Sequence, residues 1–463
     1  MTDPILAQLA HFATTLTYRD LPASVVAAAK DRLLDGIACG IAAHDCDTAE
    51  VGRTLASAAA CAEVAGRLLG SKKLVAADAA GFVNTCMIRN LDLNDIIQGG
   101  HPSDCLGALL AVAPQMGASG ERLITAMVVV YEIIIRLQRA ARIREKGWDQ
   151  GYALGVGVAA GLANLMNLNL AQTCQAIAIT SVGNAPMRNT RAGQLSMWKG
   201  AATAYAVRNA VYGAQLAAGG MTGPEAPFTG RHGLADLITG PFELTPFGTT
   251  AADFFIPTVY IKYWPVAYSL QSVIWAGIEL RKQVAHYQLA SVVVHTYEFS
   301  WNESGNEPAK WDPQTRETAD HSIPYVLART LLHGLIDHRA FVPESYLDPS
   351  IRPLMRRIEV CVDDEIEREV QRGTIHVRVN AKDHAGKSYE INIVNPPGHD
   401  QNPFTADDLA AKFTRLCAPK LGKRRVKNAL QLWQNIEGAT SLTPALDALV
   451  VKAPRGKGAG TGR

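Results

Sequence analysis

The chain lacks the clustered cysteines that zinc and iron–sulfur sites need. Its 463 residues include eight cysteines, and none of them forms a C-x-x-C pair. Many of these cysteines stand among apolar or small residues, so we interpret them as buried thiols of a protein from a reducing compartment. The sequence therefore predicts no cysteine-held metal and favours a cytoplasmic location.

Long apolar runs and a charge excess are also missing. The most apolar stretch, residues 124–135, is too short to span a bilayer and carries Glu132. The first twelve residues have no basic segment followed by an apolar one, so we expect no secretory signal. With 45 basic and 43 acidic residues, the net charge is +2, and we expect neither a nucleic acid nor a membrane as partner.

The composition that remains is that of a globular protein, with 48% apolar and 19% charged residues over a length that favours two domains. Apolar residues recur at intervals of three and four through residues 1–268, which predicts a large all-helical domain. The predicted helices span 23–43, 48–68, 76–95, 103–117, 120–141, 151–166, 170–182, 196–218 and 232–239.

The pattern changes after about residue 270. Four segments rich in β-branched residues alternate with a period of two, which predicts antiparallel strands at 289–300, 356–364, 373–381 and 388–395. Helices are predicted at 269–283 and 322–335. Together these elements predict a smaller α+β domain over residues 269–397.

Helical patterning resumes in residues 398–450, where Thr405 is a plausible N-cap for a helix over 405–419. We expect these helices to return to the helical domain. Gly, Pro and basic residues dominate 452–463, which predicts a disordered tail.

Three glycines, Gly155, Gly157 and Gly161, resemble part of a dinucleotide-binding fingerprint. That fingerprint needs a preceding strand and G-x-G-x-x-G spacing, whereas here the third glycine comes one position late within a helical pattern. We interpret the glycines as small faces that let helices approach closely.

The first cluster with chemical potential is NLDLNDIIQGGHPSD. The predicted helix would place Asn84, Ile88 and Asp92 on one face, with Asp95 three residues further on. The following glycine pair would let His101 turn back toward Asp92, and a carboxylate beside an imidazole fixes its tautomer and raises its basicity. The alternative interpretation is a polar helix end whose hydrogen bonds are satisfied.

A second cluster centres on Lys199, which stands in a helix of small apolar residues with no carboxylate within four positions. Burial against an anionic ligand would keep this lysine charged. Arg208, nine residues later, could line the same groove. The alternative is a surface lysine whose stem lies along apolar neighbours.

Two further clusters contain groups able to bind or protonate a substrate. Asp320, His321 and Tyr325 crowd at a helix start whose first turn accepts Pro324. An N-cap followed by a buried aromatic is the alternative interpretation of that cluster. At the expected domain junction, the side chains that could face a cleft are Lys262, Tyr268 and Gln271.

Taken together, these segments resemble the MmgE/PrpD family. The matching stretches follow one another in family order, and they are AAGFVNTCMIRNLDLNDIIQGGHPSD, EKGWDQG, LSMWKGAATAYAVRNAVYGAQLAAGGMTGP, IKYWPVAYSLQS, RETADHSIPYVLARTLLHG and PPGHDQNPFTADDLAAKF. The resemblance implies a mainly α fold with a large helical domain, a smaller α+β lid and an active site between them, usually in a homodimer. It also implies chemistry on small di- or tricarboxylates without a cofactor or a metal.

The resemblance also implies residue roles. The family's active-site aspartate, loop histidine, lysine and tyrosine fall on Asp92, His101, Lys199 and Tyr325. Substrate contacts are expected from a wider set, which comprises Asn84, Asp95, Gln150, Arg208, Lys262, Tyr268 and Gln271. The GWD and RETADHS-PY segments resemble the 2-methylcitrate dehydratase branch. Departures from that branch are Gln150, Ala267, Ser269 and Ile96, which remove two titrating groups and leave the substrate open.

The resulting hypothesis is loss of water from a hydroxy-tricarboxylate such as 2-methylcitrate. Lys199, alone or with Arg208, would stabilise the enediolate-like charge. His101, oriented by Asp92, would act as the base. Either Tyr325 or His321 would protonate the leaving hydroxyl. The alternatives are an epimerase or decarboxylase of a related acid on the same fold, and a non-catalytic carboxylate-binding protein.

Overall fold

The computed structural model describes residues 3–59, 61, 64–97 and 99–452. The first part of the chain is helical, as the apolar periodicity predicts. Its helices are α1 (Pro4–Thr15), α2 (Ala23–Ala42), α3 (Asp47–Leu55), α4 (Ala77–Asn90), α5 (Leu106–Val112), α6 (Gly120–Ala141), α7 (Gly151–Leu165), α8 (Leu170–Gly183) and α9 (Trp198–Ala218). A short antiparallel pair, β1 (Ala65–Arg67) and β2 (Leu74–Ala76), lies between α3 and α4.

Several predicted helices are shorter in the structure. The segment 48–68 is helical only to Leu55, and its last residues form strand β1. The segment 103–117 is helical to Val112, shortly before Pro114. The segment 232–239 contains a single π-helical turn at Ala235–Thr239.

The glycine-rich helix α7 packs against α6, so the interpretation of its glycines as packing residues is confirmed. A Cβ atom on Gly161 would lie 2.2 Å from a methyl carbon of Val130 and 2.9 Å from the Ala126 carbonyl oxygen. A Cβ atom on Gly157 would lie 2.7 Å from the Ile134 side chain. These glycines therefore allow the close approach of the two helices, and they lie inside a helix rather than after a strand.

The second part of the chain combines a sheet with short helices. Its elements are α10 (Gln271–Gln283), β3 (Leu289–Thr296), α11 (Glu298–Ser304), α12 (Pro308–Trp311), α13 (Arg316–Ala319), α14 (Ile323–His333), α15 (Pro343–Tyr346), α16 (Arg352–Met355), β4 (Ile358–Val362), α17 (Asp364–Gln371), β5 (His376–Asp383) and β6 (Ser388–Val394). The strand order is β4-β3-β5-β6. The prediction that all strands are antiparallel is wrong for one pair, because β3 and β4 run parallel. The long helical crossover between these two strands makes that direction possible.

The last helices are α18 (Ala406–Leu421), α19 (Lys423–Gln434) and α20 (Thr443–Ala448). Thr405 caps α18 by accepting a hydrogen bond from the Asp408 amide, as predicted. Single turns of 3-10 helix connect many elements, at Tyr18–Asp20, Pro102–Cys105, Ile143–Lys146, Arg188–Arg191, Ala251–Asp253, Ile256–Thr258, Tyr268–Leu270, His286–Gln288, His338–Phe341, Pro349–Ile351 and Ile436–Gly438.

Two main hydrophobic cores organise these elements. The larger core takes side chains from Ile5 to Ile261 and again from Leu409 to Leu449, because α18 packs against α2. The smaller core runs from Trp264 to Ile391. Among the described helices, none has both the length and the apolarity needed to cross a bilayer. The predicted disordered tail falls largely on residues 453–463, which lie outside the described residues.

Candidate active site

The site begins where α4 ends. The predicted helix over 76–95 is too long, since α4 stops at Asn90 and Asp92 has a left-handed backbone with a φ of 48°. Asn84, Ile88 and Asp92 therefore do not share one helical face, which corrects the sequence prediction. A left-handed conformation is uncommon for a residue with a side chain. It turns the Asp92 carboxylate into the space between the two cores.

Three cations surround the buried Asp92 carboxylate. Its Oδ1 accepts hydrogen bonds from Arg89 Nη1 at 2.5 Å and from Lys262 Nζ at 2.8 Å, and its Oδ2 accepts one from Lys199 Nζ at 3.2 Å. Lys262 Nζ also donates to the Asp92 carbonyl oxygen at 2.9 Å. Burial raises the pKa of Asp92, but Arg89, Lys199 and Lys262 outweigh it and hold that pKa well below its usual value.

His101 lies on one side of this carboxylate. Its Nδ1 lies 2.7 Å from the Asp95 carbonyl oxygen, which can only accept, so Nδ1 carries the proton and Nε2 has the free lone pair. Nε2 lies 3.9 Å from Asp92 Oδ1. The main chain of Asp95, and not the Asp92 carboxylate, thus orients the imidazole, which corrects the predicted pairing. Burial, with Arg89 and Lys262 adding to it, lowers the pKa of His101 well below its usual value.

The Asp95 side chain holds the His101 loop in place. One carboxylate oxygen accepts the Ser103 amide at 3.0 Å, and the other accepts the Tyr131 hydroxyl at 2.6 Å. All three groups are buried. Asp95 therefore positions the histidine and is not aimed at a substrate.

His321 lies on the other side of the Asp92 carboxylate. Its Nε2 is 3.6 Å from Asp92 Oδ2, and its Nδ1 is 2.5 Å from Asp320 Oδ1, where it donates to the carboxylate. Lys199 Nζ donates to the same Asp320 oxygen at 3.1 Å. Burial, followed by the Lys199 ammonium, lowers the pKa of His321 to about 4. Both histidines are therefore neutral near pH 7, each with a base-competent Nε2 that faces Asp92.

Asp92, Asp320 and His321 form a group whose ligand atoms lie within 4.8 Å of one another, which is metal-ligand spacing. The Lys199 ammonium already occupies the space among them. Its Nζ lies 3.2 Å from Asp92 Oδ2, 3.1 Å from Asp320 Oδ1 and 3.3 Å from His321 Nδ1. A metal ion would have to displace a buried lysine. The donor set therefore fits an ammonium ion better than a divalent cation.

Two predicted site residues lie elsewhere. Tyr325 is fully buried in the smaller core, where its hydroxyl donates to the Ala340 carbonyl, so it cannot serve as the proton donor in this arrangement. The apolar periodicity of α14 places it on the core-facing side of that helix. Arg208 lies on the exposed face of α9 and pairs with Asp78 at 3.0 Å, with 46% of its side chain exposed. It does not reach the groove that Lys199 lines.

Four other predicted contacts have local roles. Asn84 hydrogen-bonds the backbone of Leu69, Arg67 and Gly107, and Gln271 hydrogen-bonds the backbone of Tyr263 and Trp264. Both side chains therefore hold loops. Gln150 lies against Gly100, since a Cβ atom added to Gly100 would be 2.7 Å from Gln150 Oε1. Gln150 therefore borders the His101 loop. Tyr268 stacks on Tyr260 with ring centroids 4.8 Å apart.

Sequence reasoning missed Arg89, Tyr131 and Lys412 as site residues, and Asp320 was noted without a role. Arg89 carried a local signal, because it stands three residues before Asp92 on the last turn of α4. Tyr131 lies in the most apolar stretch of the chain, where a core position is the simplest interpretation. Lys412 lies 150 residues from Lys262, so only the folded chain reveals their contact.

Lys412 of α18 ties together the two segments that carry Asp92 and Lys262. Its Nζ donates to the Lys262 carbonyl at 2.6 Å and to the Leu93 carbonyl at 3.1 Å, and it forms an ion pair with Asp35 of α2. Both ionic partners are buried. Burial raises the pKa of Asp35 to about 6 although Lys412 opposes it, so the Asp35 carboxylate is ionised at pH 7.

Lys412→Met is expected to lower the free energy of unfolding by about 3–5 kcal/mol, because it leaves Asp35 and two carbonyls buried without their cation. Lys420→Met in the same helix is the matched control, since Lys420 pairs with the exposed Asp45 and should cost only about 0–1 kcal/mol. Urea denaturation at pH 7 measures both variants. Equal losses of unfolding free energy in the two variants would contradict the stabilising role of the Lys412 contacts.

Several known proteins are similar to this chain in sequence. An alkylcitrate dehydratase of a fungus (Fungal sp., strain ATCC 74256) is 27% identical, with 92% of this chain and 91% of the relative covered. A 2-methylcitrate dehydratase of Cupriavidus necator is 27% identical over 62% of each chain. A cis-aconitate decarboxylase of Aspergillus terreus is 22% identical over 97% of each chain.

Domain-level matches cover most of the sequence. Residues 7–246 match the MmgE/PrpD N-terminal domain, and residues 264–437 match the MmgE/PrpD C-terminal domain. The second match begins at Trp264, which is also the first residue of the smaller core. The chain belongs to the MmgE/PrpD family.

Proposed function

We propose that this protein is a cofactor-independent hydro-lyase that removes water from a small hydroxy-tricarboxylate such as 2-methylcitrate. One observation carries the proposal. The neutral imidazoles of His101 and His321 face different oxygens of the Asp92 carboxylate, and the three cations described above surround that carboxylate. The relatives named alkylcitrate dehydratase and 2-methylcitrate dehydratase support the reaction class. The eight cysteines, none of them in a C-x-x-C pair, fit a reducing compartment, and the proposal places the protein in the cytoplasm.

Loss of water next to a carboxylate needs charge stabilisation. When a base removes the proton on the carbon beside a carboxylate, negative charge develops on the carboxylate oxygens. Arg89, Lys199 and Lys262 provide fixed positive charge in a site from which water is largely excluded, where such charge acts strongly. The ammonium groups take the part that a metal ion plays in other lyases.

The two histidines divide the proton transfers in this proposal. His101 Nε2 accepts the carbon-bound proton, since the Asp95 carbonyl fixes its tautomer. His321 protonates the leaving hydroxyl, because Asp320 stabilises its imidazolium form. The resting His321 is neutral, so a proton must arrive with the substrate. A bound trianion supplies negative charge that raises the His321 pKa toward its ordinary value.

A second candidate function is decarboxylation of an unsaturated tricarboxylate such as cis-aconitate. The Aspergillus terreus relative of that name covers nearly the whole chain. In that case one imidazole would protonate the carbanion left after loss of carbon dioxide, and the same cations would stabilise the charge. Epimerisation of a smaller acid uses the same two bases. The remaining alternative is that this protein binds a carboxylate without catalysing a reaction.

The first experiment incubates chelator-treated protein with 2-methylcitrate, citrate and cis-aconitate and identifies products by mass spectrometry. We expect loss of water from 2-methylcitrate, unaffected by chelation. Lys199→Ala should lower kcat about 10²- to 10³-fold, because it removes charge stabilisation and leaves Asp92 and Asp320 facing each other. Lys282→Ala, which removes an exposed lysine paired with Glu279, is the control. Full turnover by Lys199→Ala would sink the assignment, and loss of carbon dioxide from cis-aconitate would favour the decarboxylase.

Binding of a tricarboxylate should also be accompanied by proton uptake. In the protein without ligand, His321 has a pKa of about 4, so it is neutral at pH 6. A bound trianion raises this pKa, and His321 then takes up a proton from the solution. Titration calorimetry with tricarballylate in two buffers of different ionisation enthalpy measures the uptake. His321→Asn should take up less, and the difference isolates the histidine because the ligand's own ionisation is common to both. Equal uptake would contradict the role of His321.

We also infer a homodimer, with α9 contributing to the contact. Trp198, Tyr205 and Tyr212 recur every seven residues on this helix and are 45%, 43% and 57% exposed. Exposed aromatic residues on one helical face are typical of protein–protein interfaces. Sedimentation analysis should show a dimer that Tyr205→Arg with Tyr212→Arg weakens. A monomeric wild-type protein, or a dimer unchanged by the double substitution, would contradict this contact.

A further inference from the structure

Lys310 is a buried lysine that the reaction described above does not use. It lies on the short helix α12 and is only 2% exposed. Among the residues that the structure describes, its ammonium group makes no hydrogen bond and no ion pair, in contrast to Lys199, Lys262 and Lys412. The side chain is almost wholly buried and its ammonium lacks a partner among the described residues, which an anionic ligand would supply.

The backbone of Lys310 is fixed to the active site. Its carbonyl oxygen accepts a hydrogen bond from the Ser322 hydroxyl, and Ser322 directly follows Asp320 and His321. Helix α12 also packs against α13 and α14, between which these residues lie. The main chain of Lys310 is therefore held next to the segment that carries His321, the histidine that faces Asp92.

Electrostatics agree with this placement. Burial lowers the pKa of Lys310, and the Lys199 ammonium contributes to the lowering, whereas Glu307, Glu303 and Asp320 oppose it. Lys310 thus lies within electrostatic reach of both Lys199 and Asp320. Glu303 forms an ion pair with Arg188, so it is already engaged.

We propose that Lys310 binds one carboxylate of the substrate, on the side of the site formed by α12. The three cations around Asp92 are shared with Asp92 and Asp320, and a tricarboxylate needs a further cation that is not already paired. Lys310 provides that cation, and the Ser322 hydrogen bond holds its main chain close to His321. This assignment rests on the proposed function, because it takes an anionic ligand with several carboxylates as the substrate.

The test measures equilibrium binding of tricarballylate, a tricarboxylate without a hydroxyl group to eliminate, by titration calorimetry. Lys310→Met should raise the Kd about 10- to 100-fold, as expected for loss of one charge-assisted hydrogen bond. Lys310→Arg keeps the charge and should restore part of the affinity. Lys282→Met is the control and should leave the Kd unchanged. An unchanged Kd in Lys310→Met, or no binding of tricarballylate by the wild-type protein, would overturn the assignment.

Thermal unfolding distinguishes binding from a structural role. Removing an unpaired buried ammonium should leave the Tm of the free protein unchanged or higher, while the rise in Tm given by tricarballylate should shrink. A lower Tm with the full ligand-induced rise would show a structural lysine and would overturn the proposal. The outcome is separable from the proposed function, because wild-type protein that binds tricarballylate without dehydrating 2-methylcitrate would refute the dehydratase and leave Lys310 as a carboxylate site.

Discussion

The Asp92 carboxylate is the group on which the rest of the site depends. A carboxylate buried to this degree would ordinarily become protonated, and only the three surrounding cations keep it charged. Those cations come from distant parts of the chain: Arg89 from α4, Lys199 from α9 and Lys262 from the segment between the two cores. The ionic contacts therefore require the helical part and the junction to be correctly assembled at once.

That requirement also explains the left-handed backbone at Asp92. If α4 continued as a regular helix, the carboxylate would follow the helix surface, which packs against α9 and α5. Because α4 ends at Asn90, two residues before Asp92, the Asp92 side chain can reach Lys262. Lys262 Nζ then donates hydrogen bonds to both the carboxylate and the carbonyl oxygen of Asp92. The backbone strain is offset by ionic contacts that a helical Asp92 could not make.

Local sequence patterns predicted most of the elements and part of the site. Period-two and three-to-four-residue repeats report which face of a segment is buried, so α6, α7, α14 and β5 could be predicted from them. The pattern does not report where a long segment stops, as the overlong helix before Asp92 shows. It also does not report strand direction, which depends on the crossover between β3 and β4.

For individual side chains, the limit was the difference between nearness in sequence and nearness in space. His101, Lys199 and His321 do converge on Asp92. Tyr325 stands four residues after His321, but His321 precedes helix α14, whereas Tyr325 lies in the first turn of that helix and points into the smaller core. Arg208 shares a helix with Lys199 but faces solvent. No local pattern could have revealed Lys412, whose partners lie on three other segments.

The charges of the site indicate what kind of molecule it can hold. With both histidines neutral, Arg89, Lys199 and Lys262 face the carboxylates of Asp92 and Asp320, and Arg89 also pairs with the buried Asp104 carboxylate at 4.0 Å. Burial raises the pKa of Asp104 to about 6, so this third carboxylate is ionised at pH 7 and the three cations are balanced. A substrate with several carboxylates would therefore make the centre negative, and two responses are available within the site: protonation of His321 and engagement of Lys310. The same anion that binds thus generates the acid that the elimination needs, because its charge raises the pKa of the imidazole that Asp320 orients.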